Sequence, residues 1–331
     1  MRWQGPLLAF LAALMFSLSV PASKVLLDQL SPLVLAGLLY LGAGIGLSVY
    51  RLSIRLLSAG TRDDAGSSQG AEPPTAASAG KDWRWLGAAT ASGAVAAPLL
   101  LLWGLQETPA ATASLLLSFE AVFTALWAAR FFGEHVAPQV WAAVAAVTLG
   151  GMVLGLNSGG SWGFSAGALA VVAGCALWGL DNNLTRNIER LDPSRVAQLK
   201  GLAAGLVNLA AAWALGAGLP SLPAIAAAML VGALSYGASL VLFIHALRRL
   251  GSSRTSAYFG SAPFMAAAIS LVVAGQRPTL TILVGGAFMV VGAVFMLMEQ
   301  HVHEHEHDGV THIHWHAPDA EHRHSHSGSG P

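Results

Sequence analysis

The sequence predicts an all-α polytopic membrane protein with ten transmembrane helices, arranged as two inverted five-helix repeats. Three observations lead to this prediction. Hydrophobic residues make up 54% of the chain and charged residues only 10%, whereas charged residues alone are about a quarter of a typical soluble domain. Long apolar runs recur along the chain, and its second half repeats features of its first. The composition therefore excludes a water-soluble globular core.

The apolar runs are long enough to cross a bilayer, which takes roughly 17–25 residues of helix. Backbone polar groups in hydrocarbon must be satisfied within a helix or a closed barrel, and continuous apolar runs of this length favour helices. The ten predicted spans cover residues 5–27, 33–50, 85–104, 110–131, 138–156, 164–185, 195–216, 224–247, 255–274 and 279–298.

The basic residues predict the orientation of the chain. With the N-terminus in the cytoplasm, every lysine and arginine except Lys24 and Arg277 falls on the inner side. The positive-inside rule then predicts a multi-pass plasma membrane protein with both termini cytoplasmic. Arg2 and the apolar run after it resemble a cleavable signal peptide. We interpret this segment as a true span, because it has a counterpart in the second half.

The two halves of the chain are copies of one unit. A displacement of 142 residues pairs Leu105 with Leu247, Ser114 with Ser256, Ala125 with Ala267, Gly133 with Gly275 and Gly150 with Gly292. Near the start the displacement grows to about 161, pairing Pro32 with Pro193, and the difference matches a Gly-, Ser- and Pro-rich flexible linker at 58–82. We therefore divide the chain into a first repeat at 1–157, a second repeat at 158–298 and a disordered His-rich cytosolic tail at 299–331. Each repeat holds five spans, so the second enters the membrane from the opposite side, as in alternating-access transporters.

Two segments resemble a known family. The run 115–134, LLLSFEAVFTALWAARFFGE, and its counterpart 258–276, YFGSAPFMAAAISLVVAGQ, resemble the fourth and ninth helices of EamA-like transporters of the drug/metabolite transporter superfamily. The chain departs from that pattern with Ala121, where the family usually has proline, and with Gln276. Trp178 and Gly179 match the family's opening motif. The resemblance implies a ten-helix fold and proton-coupled or exchange transport of small metabolites.

Six side chains are candidates for the substrate or proton pathway: Glu120, Trp178, Asp181, Asn182, His245 and Lys24. Glu120 falls near the middle of the fourth predicted span, where an ionised carboxylate is costly unless it is paired or faces water. It is either a proton carrier or substrate contact, or a carboxyl group that holds two helices together. Asp181 and Asn182 could line a pocket beside Trp178 or mark the headgroup boundary. His245 and Lys24 could equally be interfacial residues.

The tail is rich in metal-binding side chains. Imidazoles suit zinc, nickel, cobalt and copper, and alternating positions on an extended chain allow neighbours to converge on one ion. The candidate ligands are His301, His303, His305, His307, His312, His314, His316, His322, His324 and His326. We expect no cofactor to be required, although divalent metal ions are candidate partners of the tail.

The leading hypothesis is a secondary exporter of a small organic metabolite, such as an amino acid, with a metal-binding regulatory tail. One alternative is a divalent metal transporter loaded or gated by the tail, and a second is a membrane-tethered metal-binding protein without transport. An enzyme is not expected, because the sequence has no HExxH pair, nucleophile elbow or phosphate loop. The expected partners are a small solute and the lipid bilayer, with no nucleic acid.

Overall fold

The structure, a computed structural model, describes residues 4–59, 76–133, 138–155, 165–188, 191–297, 301–307 and 310–316. Within these residues each predicted span corresponds to an observed helical segment, and we number these segments span 1 to span 10. In chain order they cover Gln4–Leu26, Pro32–Leu56, Asp82–Glu107, Ala110–Phe131, Pro138–Leu154, Ala166–Arg186, Pro193–Ala214, Leu222–Leu250, Arg254–Val273 and Leu280–Met296. The membrane-spanning part of the chain is thus all-helical, and the protein is a polytopic membrane protein, as the hydropathy pattern predicts.

Five spans are not regular helices from end to end. Span 1 consists of Gln4–Ser17 and Ser19–Leu26, and span 4 of Ala110–Leu116 and Phe119–Phe131. Span 9 consists of Ala262–Val273 and of a helix, Ser252–Phe259, that begins two residues before the span. Spans 3 and 8 each contain a π-helical turn, at Thr90–Ala96 and Ala233–Ala238. The turns in spans 3 and 8, and the breaks in spans 4 and 9, occupy equivalent positions in the two halves.

Proline explains the breaks in spans 1 and 9. A proline has no backbone N–H to donate to the carbonyl four residues earlier, and its ring crowds that carbonyl. Pro21 therefore interrupts span 1 at Ser17, and Pro263 interrupts span 9 at Phe259. Ala121 stands at the position equivalent to Pro263, yet span 4 still breaks between its two helices.

The two halves pack closely against each other. Span 2 packs along span 7, and span 5 along span 10. Span 6 packs on spans 3 and 4 of the first half, while span 1 packs on spans 8 and 9 of the second half. The opening span of each half is therefore enclosed by the third and fourth spans of the other half, so the core lies between the repeats.

Glycines allow these helices to approach. A Cβ atom added to Gly201 would lie 2.9 Å from the backbone nitrogen of Gly44, and one added to Gly205 would lie 2.7 Å from that of Leu41. A Cβ on Gly150 would lie 2.7 Å from the carbonyl oxygen of Gly285. Only residues without a side chain permit backbones this close, which is how small residues serve helix packing in membranes.

Two predicted boundaries need correction. The helix of span 2 runs to Ala59 and a helix begins again at Ala76, so the linker is shorter than 58–82; the alanines at 76–77 are strong helix formers. Residues 60–75 lie outside the described residues.

The tail, predicted to be disordered, contains two antiparallel strands, His301–His307 and Val310–His316. Their register pairs His301 with His316, His303 with His314 and His305 with His312. An Asp-Gly pair between the strands and β-prone residues in the second favour such a hairpin. His322, His324 and His326 lie outside the described residues.

Candidate functional site

A polar cluster lies where spans 4 and 6 meet. The Asn182 side-chain amide donates to Glu120 Oε1 at 2.9 Å and to Thr124 Oγ1 at 3.2 Å. Thr124 Oγ1 in turn donates to the Glu120 backbone carbonyl at 2.8 Å. Glu120 is partly exposed and Asn182 is exposed, so the cluster retains acceptor sites that the protein does not use.

The break in span 4 positions the Glu120 side chain. Because the second helix of this span begins at Phe119, Glu120 falls in its first turn. The dipole of this helix favours negative charge in its first turn. The backbone irregularity therefore supports a carboxylate within the membrane domain.

A buried ion pair lies beside this cluster. The Lys200 ammonium of span 7 donates to Asp181 Oδ1 at 2.5 Å and to Asp181 Oδ2 at 2.6 Å. Thr185 Oγ1 donates to Asp181 Oδ1 at 3.0 Å. The two charged side chains are only 14% and 10% exposed, and both lie within electrostatic reach of Glu120. The ion pair therefore lies beside the Glu120 carboxyl group.

The π-helical turn of span 3 forms the opposite side of the cluster. Gly93 lies directly against the Asp181 carboxylate, and an added Cβ would overlap it. In a π-helical pattern the Gly93 carbonyl would accept from the residue five positions later, which is Pro98 and has no N–H. This carbonyl instead accepts from Trp178 Nε1 at 2.8 Å and from the Tyr40 hydroxyl at 3.1 Å.

Aromatic side chains continue from Tyr40 into the second half. The Tyr40 ring stacks on Tyr236 with centroids 5.7 Å apart, and Phe16 meets Tyr236 edge-on at 5.9 Å. Trp178 contacts the π-helical turn of span 3, and Phe16 contacts Tyr236 in that of span 8. The opening span of each half therefore presents an aromatic ring to the irregular turn of the other half.

The arrangement offers several kinds of contact at one place. Glu120 is an acceptor for a cationic group, Asn182 can donate or accept, and the neighbouring rings of Trp178 and Tyr40 provide apolar surface. A few convergent polar groups beside aromatic walls are typical of small-molecule sites.

The structure brings four of the six predicted pathway residues together: Glu120, Trp178, Asp181 and Asn182. It places the other two elsewhere. The Lys24 ammonium donates to the carbonyls of Leu105 and Gln106 at 2.5 and 3.1 Å and to that of Thr108 at 3.3 Å, which caps the end of span 3. His245 Nε2 lies 2.9 Å from the Tyr50 hydroxyl near the ends of spans 2 and 8.

Sequence reasoning missed Lys200, Tyr40 and Thr124. The positive-inside rule counted Lys200 with the cytoplasmic residues, near the start of the predicted span 195–216, and gave it no partner; the structure places it against Asp181. A lysine inside one apolar helix and an aspartate inside the preceding one was a usable signal, because charges within membrane helices usually pair with each other.

Among the residues whose side chains the structure describes, which do not include the tail histidines, no group of three His, Cys, Asp or Glu side chains is placed to hold a metal ion. The central cluster contains two carboxylates, and Asp181 is already engaged by Lys200.

Known proteins resemble this chain over most of its length. The sequence profile of the EamA-like transporter family matches residues 3–156 and 165–298. A probable terminal-alkyne amino-acid exporter from Streptantibioticus cattleyicolor is 28% identical over 261 residues, covering 77% of this chain and 84% of the relative. An uncharacterized transporter from Methanothermobacter thermautotrophicus is 28% identical over 310 residues, covering 89% of this chain and 86% of the relative.

One solved crystal structure shares the fold, with a TM-score of 0.58 at 20% identity. The superposition covers 89% of this chain and 97% of the chain in that structure. The two ranges matched by the family profile together span more than half of the chain and contain all the residues of the central cluster. The chain is a multi-pass membrane protein that belongs to the EamA-like transporter family.

Proposed function

We propose that this transporter exports a small organic solute carrying both an ammonium and a carboxylate group, an amino acid or a close relative, by alternating access. The observation that carries the proposal is the Glu120 and Asn182 pair, set between the halves beside the Asp181–Lys200 ion pair. Glu120 suits an ammonium group, and the exposed Asn182 amide beside it suits a carboxylate. Tyr40 and Trp178 suit an apolar side chain.

Two further considerations support this solute class. The similar Streptantibioticus cattleyicolor protein is described as an amino-acid exporter. A dehydrated divalent ion needs several ligands at once, and the central cluster has only two carboxylates, one of them paired. An organic solute therefore suits the site better than a metal ion as cargo.

The proposal includes an orientation. We place the protein in the plasma membrane with both termini in the cytoplasm, since this puts nearly all basic residues outside the spans on the inner side. Glu120 then carries the coupling proton or contacts the solute ammonium, depending on which side the central site faces.

The tail forms a second part of the proposal. We assign it the binding of zinc, nickel, cobalt or copper, with a regulatory effect on transport. Support comes from the alternating histidines and from the register that sets three His–His pairs across the two strands. Binding would weaken below a pH of about 6.5, because ligands must be neutral imidazoles.

Uptake into inverted membrane vesicles that contain the protein tests which solute is transported. We expect labelled amino acids to be taken up by the intact protein and at least about tenfold more slowly by Glu120→Gln, because a charge-assisted hydrogen bond of ~1.5–3 kcal/mol is lost. Glu107→Gln is the matched control, since Glu107 is exposed at the end of span 3. Equal uptake by both variants, or flux of zinc alone, would contradict the proposal.

A chain that ends after Gln300 tests the tail separately. Zinc binding measured by titration calorimetry should fall to background in this chain, while Glu120-dependent transport persists. Zinc binding that survives the truncation would refute the role assigned to the tail.

A further inference from the structure

A second polar site lies away from the central cluster, at the ends of three spans. A cavity of about 310 Å³ opens between the last turns of span 2, the start of span 7 and the end of span 8. Its polar lining consists of Tyr50, Arg51, Arg55, Asp192, Ser194, His245 and Arg248. A neighbouring cavity of about 280 Å³ shares Arg51 and Arg55 and adds Arg195.

Side-chain contacts fix the walls of the larger cavity. The Tyr50 hydroxyl and His245 Nε2 lie 2.9 Å apart and join span 2 to span 8. Arg51 Nη1 donates to Ser194 Oγ at 2.7 Å and to Asp192 Oδ1 at 3.2 Å, which joins span 2 to span 7. The cavity therefore lies between two cross-links and does not depend on a free loop.

The lining is strongly positive. Three arginines face a single carboxylate, that of Asp192, which accepts from the Ser194 hydroxyl and from backbone N–H groups at the start of span 7. The hydrogen bond from the Ser194 hydroxyl, followed by those from the backbone, lowers the pKa of Asp192 below its ordinary value. Asp192 is thus an anion whose acceptor sites are largely occupied.

The remaining two arginines are available to a ligand. Arg55 and Arg248 are exposed, and within the described part of the chain no carboxylate lies at ion-pair distance from either guanidinium. Arginine presents a planar fork of donors that matches phosphate oxygens in pairs. The cavity volume is at the lower end of the range for ligand pockets, which suits a single headgroup-sized anion.

We infer that this cavity binds a phosphate-class anion through Arg55 and Arg248, with Arg51 held in place by Asp192 and Ser194. Because the site lies where three spans end, the phosphate could belong to the headgroup of an anionic lipid, for which basic pockets between membrane helices are suited, or to a soluble phosphate. The inference does not depend on the identity of the transported solute.

Native mass spectrometry and thermal unfolding of the full chain in detergent test the site. The cavity variant carries both Arg55→Gln and Arg248→Gln. The charge-matched control is Arg84→Gln with Arg254→Gln, two exposed arginines that do not line the cavity. The probes are phosphatidylglycerol against phosphatidylethanolamine, and inorganic phosphate against chloride at equal ionic strength.

We expect binding to be at least about tenfold weaker in the cavity variant and unchanged in the control, since lost charge-assisted hydrogen bonds reduce affinity by that factor or more. Selective loss of phosphatidylglycerol binding identifies a lipid headgroup, and selective loss of stabilisation by inorganic phosphate identifies a soluble anion. Either result supports the inference. If both probes act equally on the intact protein and the cavity variant, or if the control loses as much, the inference is overturned.

Discussion

At the scale of single residues, Asp181 and Lys200 form a buried ion pair in the interior of the membrane domain. A buried ion pair gains Coulomb energy but loses the hydration of both charges, so its net contribution to stability is modest. Removing one partner is different, because the other charge then remains buried without compensation. Thr185 and Gly93 hold the carboxylate in place, which makes the geometry specific.

Single substitutions of this pair should therefore cost more than the double substitution. We expect Asp181→Asn or Lys200→Met alone to lower the free energy of unfolding by about 3–5 kcal/mol, and the double variant to recover part of that loss. Thermal unfolding in detergent measures the three variants. Additive losses in the double variant would show that the two side chains do not act as a pair.

At the scale of secondary-structure elements, the π-helical turn of span 3 leaves a backbone carbonyl free to accept hydrogen bonds from neighbouring helices. Pro98 leaves the Gly93 carbonyl without a partner from its own helix, and side chains of spans 2 and 6 supply the donors. Three spans thus meet at a single carbonyl oxygen. Turns of this kind are frequent at functional sites.

A double-mutant cycle tests this junction. Tyr40→Phe or Trp178→Phe alone leaves one donor on the Gly93 carbonyl, so each should cost about 1 kcal/mol of unfolding free energy. The double variant leaves the carbonyl without either donor and should cost more than the sum of the two. Strict additivity, measured by thermal unfolding, would mean that the two donors act independently.

At the scale of the whole molecule, the two halves enclose each other's opening spans and meet along glycine contacts. Spans 5 and 10 approach closely at Gly150 and Gly285. The alternating-access cycle proposed above requires two units that move as bodies around a central site, and it assigns to them the surfaces where span 2 packs on span 7 and span 5 on span 10.

Adjacent glycines in span 10 provide a matched test of this interface. A Cβ on Gly285 would lie 3.0 Å from the Gly150 carbonyl oxygen and 2.8 Å from the Leu154 side chain, whereas one on Gly286 would make ordinary contact at 3.6 Å. Gly285→Ala should therefore cost about 1–3 kcal/mol through overpacking, and Gly286→Ala should be close to neutral. The same melting temperature for both variants would contradict this packing.

Much of the fold could be predicted because its determinants are local. A run of apolar residues specifies a span wherever it occurs, so the ten segments lie close to their predicted positions. Glu120, Asp181, Asn182 and Trp178 could be selected because polar groups and their aromatic neighbours within a membrane are costly and few.

The sequence alone determined the membrane architecture and the identity of the polar residues within it, because the bilayer imposes its requirement on each helix separately. Only the tertiary structure decided which of those residues meet. It paired Lys200 with Asp181, assigned Lys24 to cap span 3, and joined Tyr40 and Trp178 at Gly93. Each of these contacts crosses between helices that are distant in sequence, and their geometry depends on how the two halves pack.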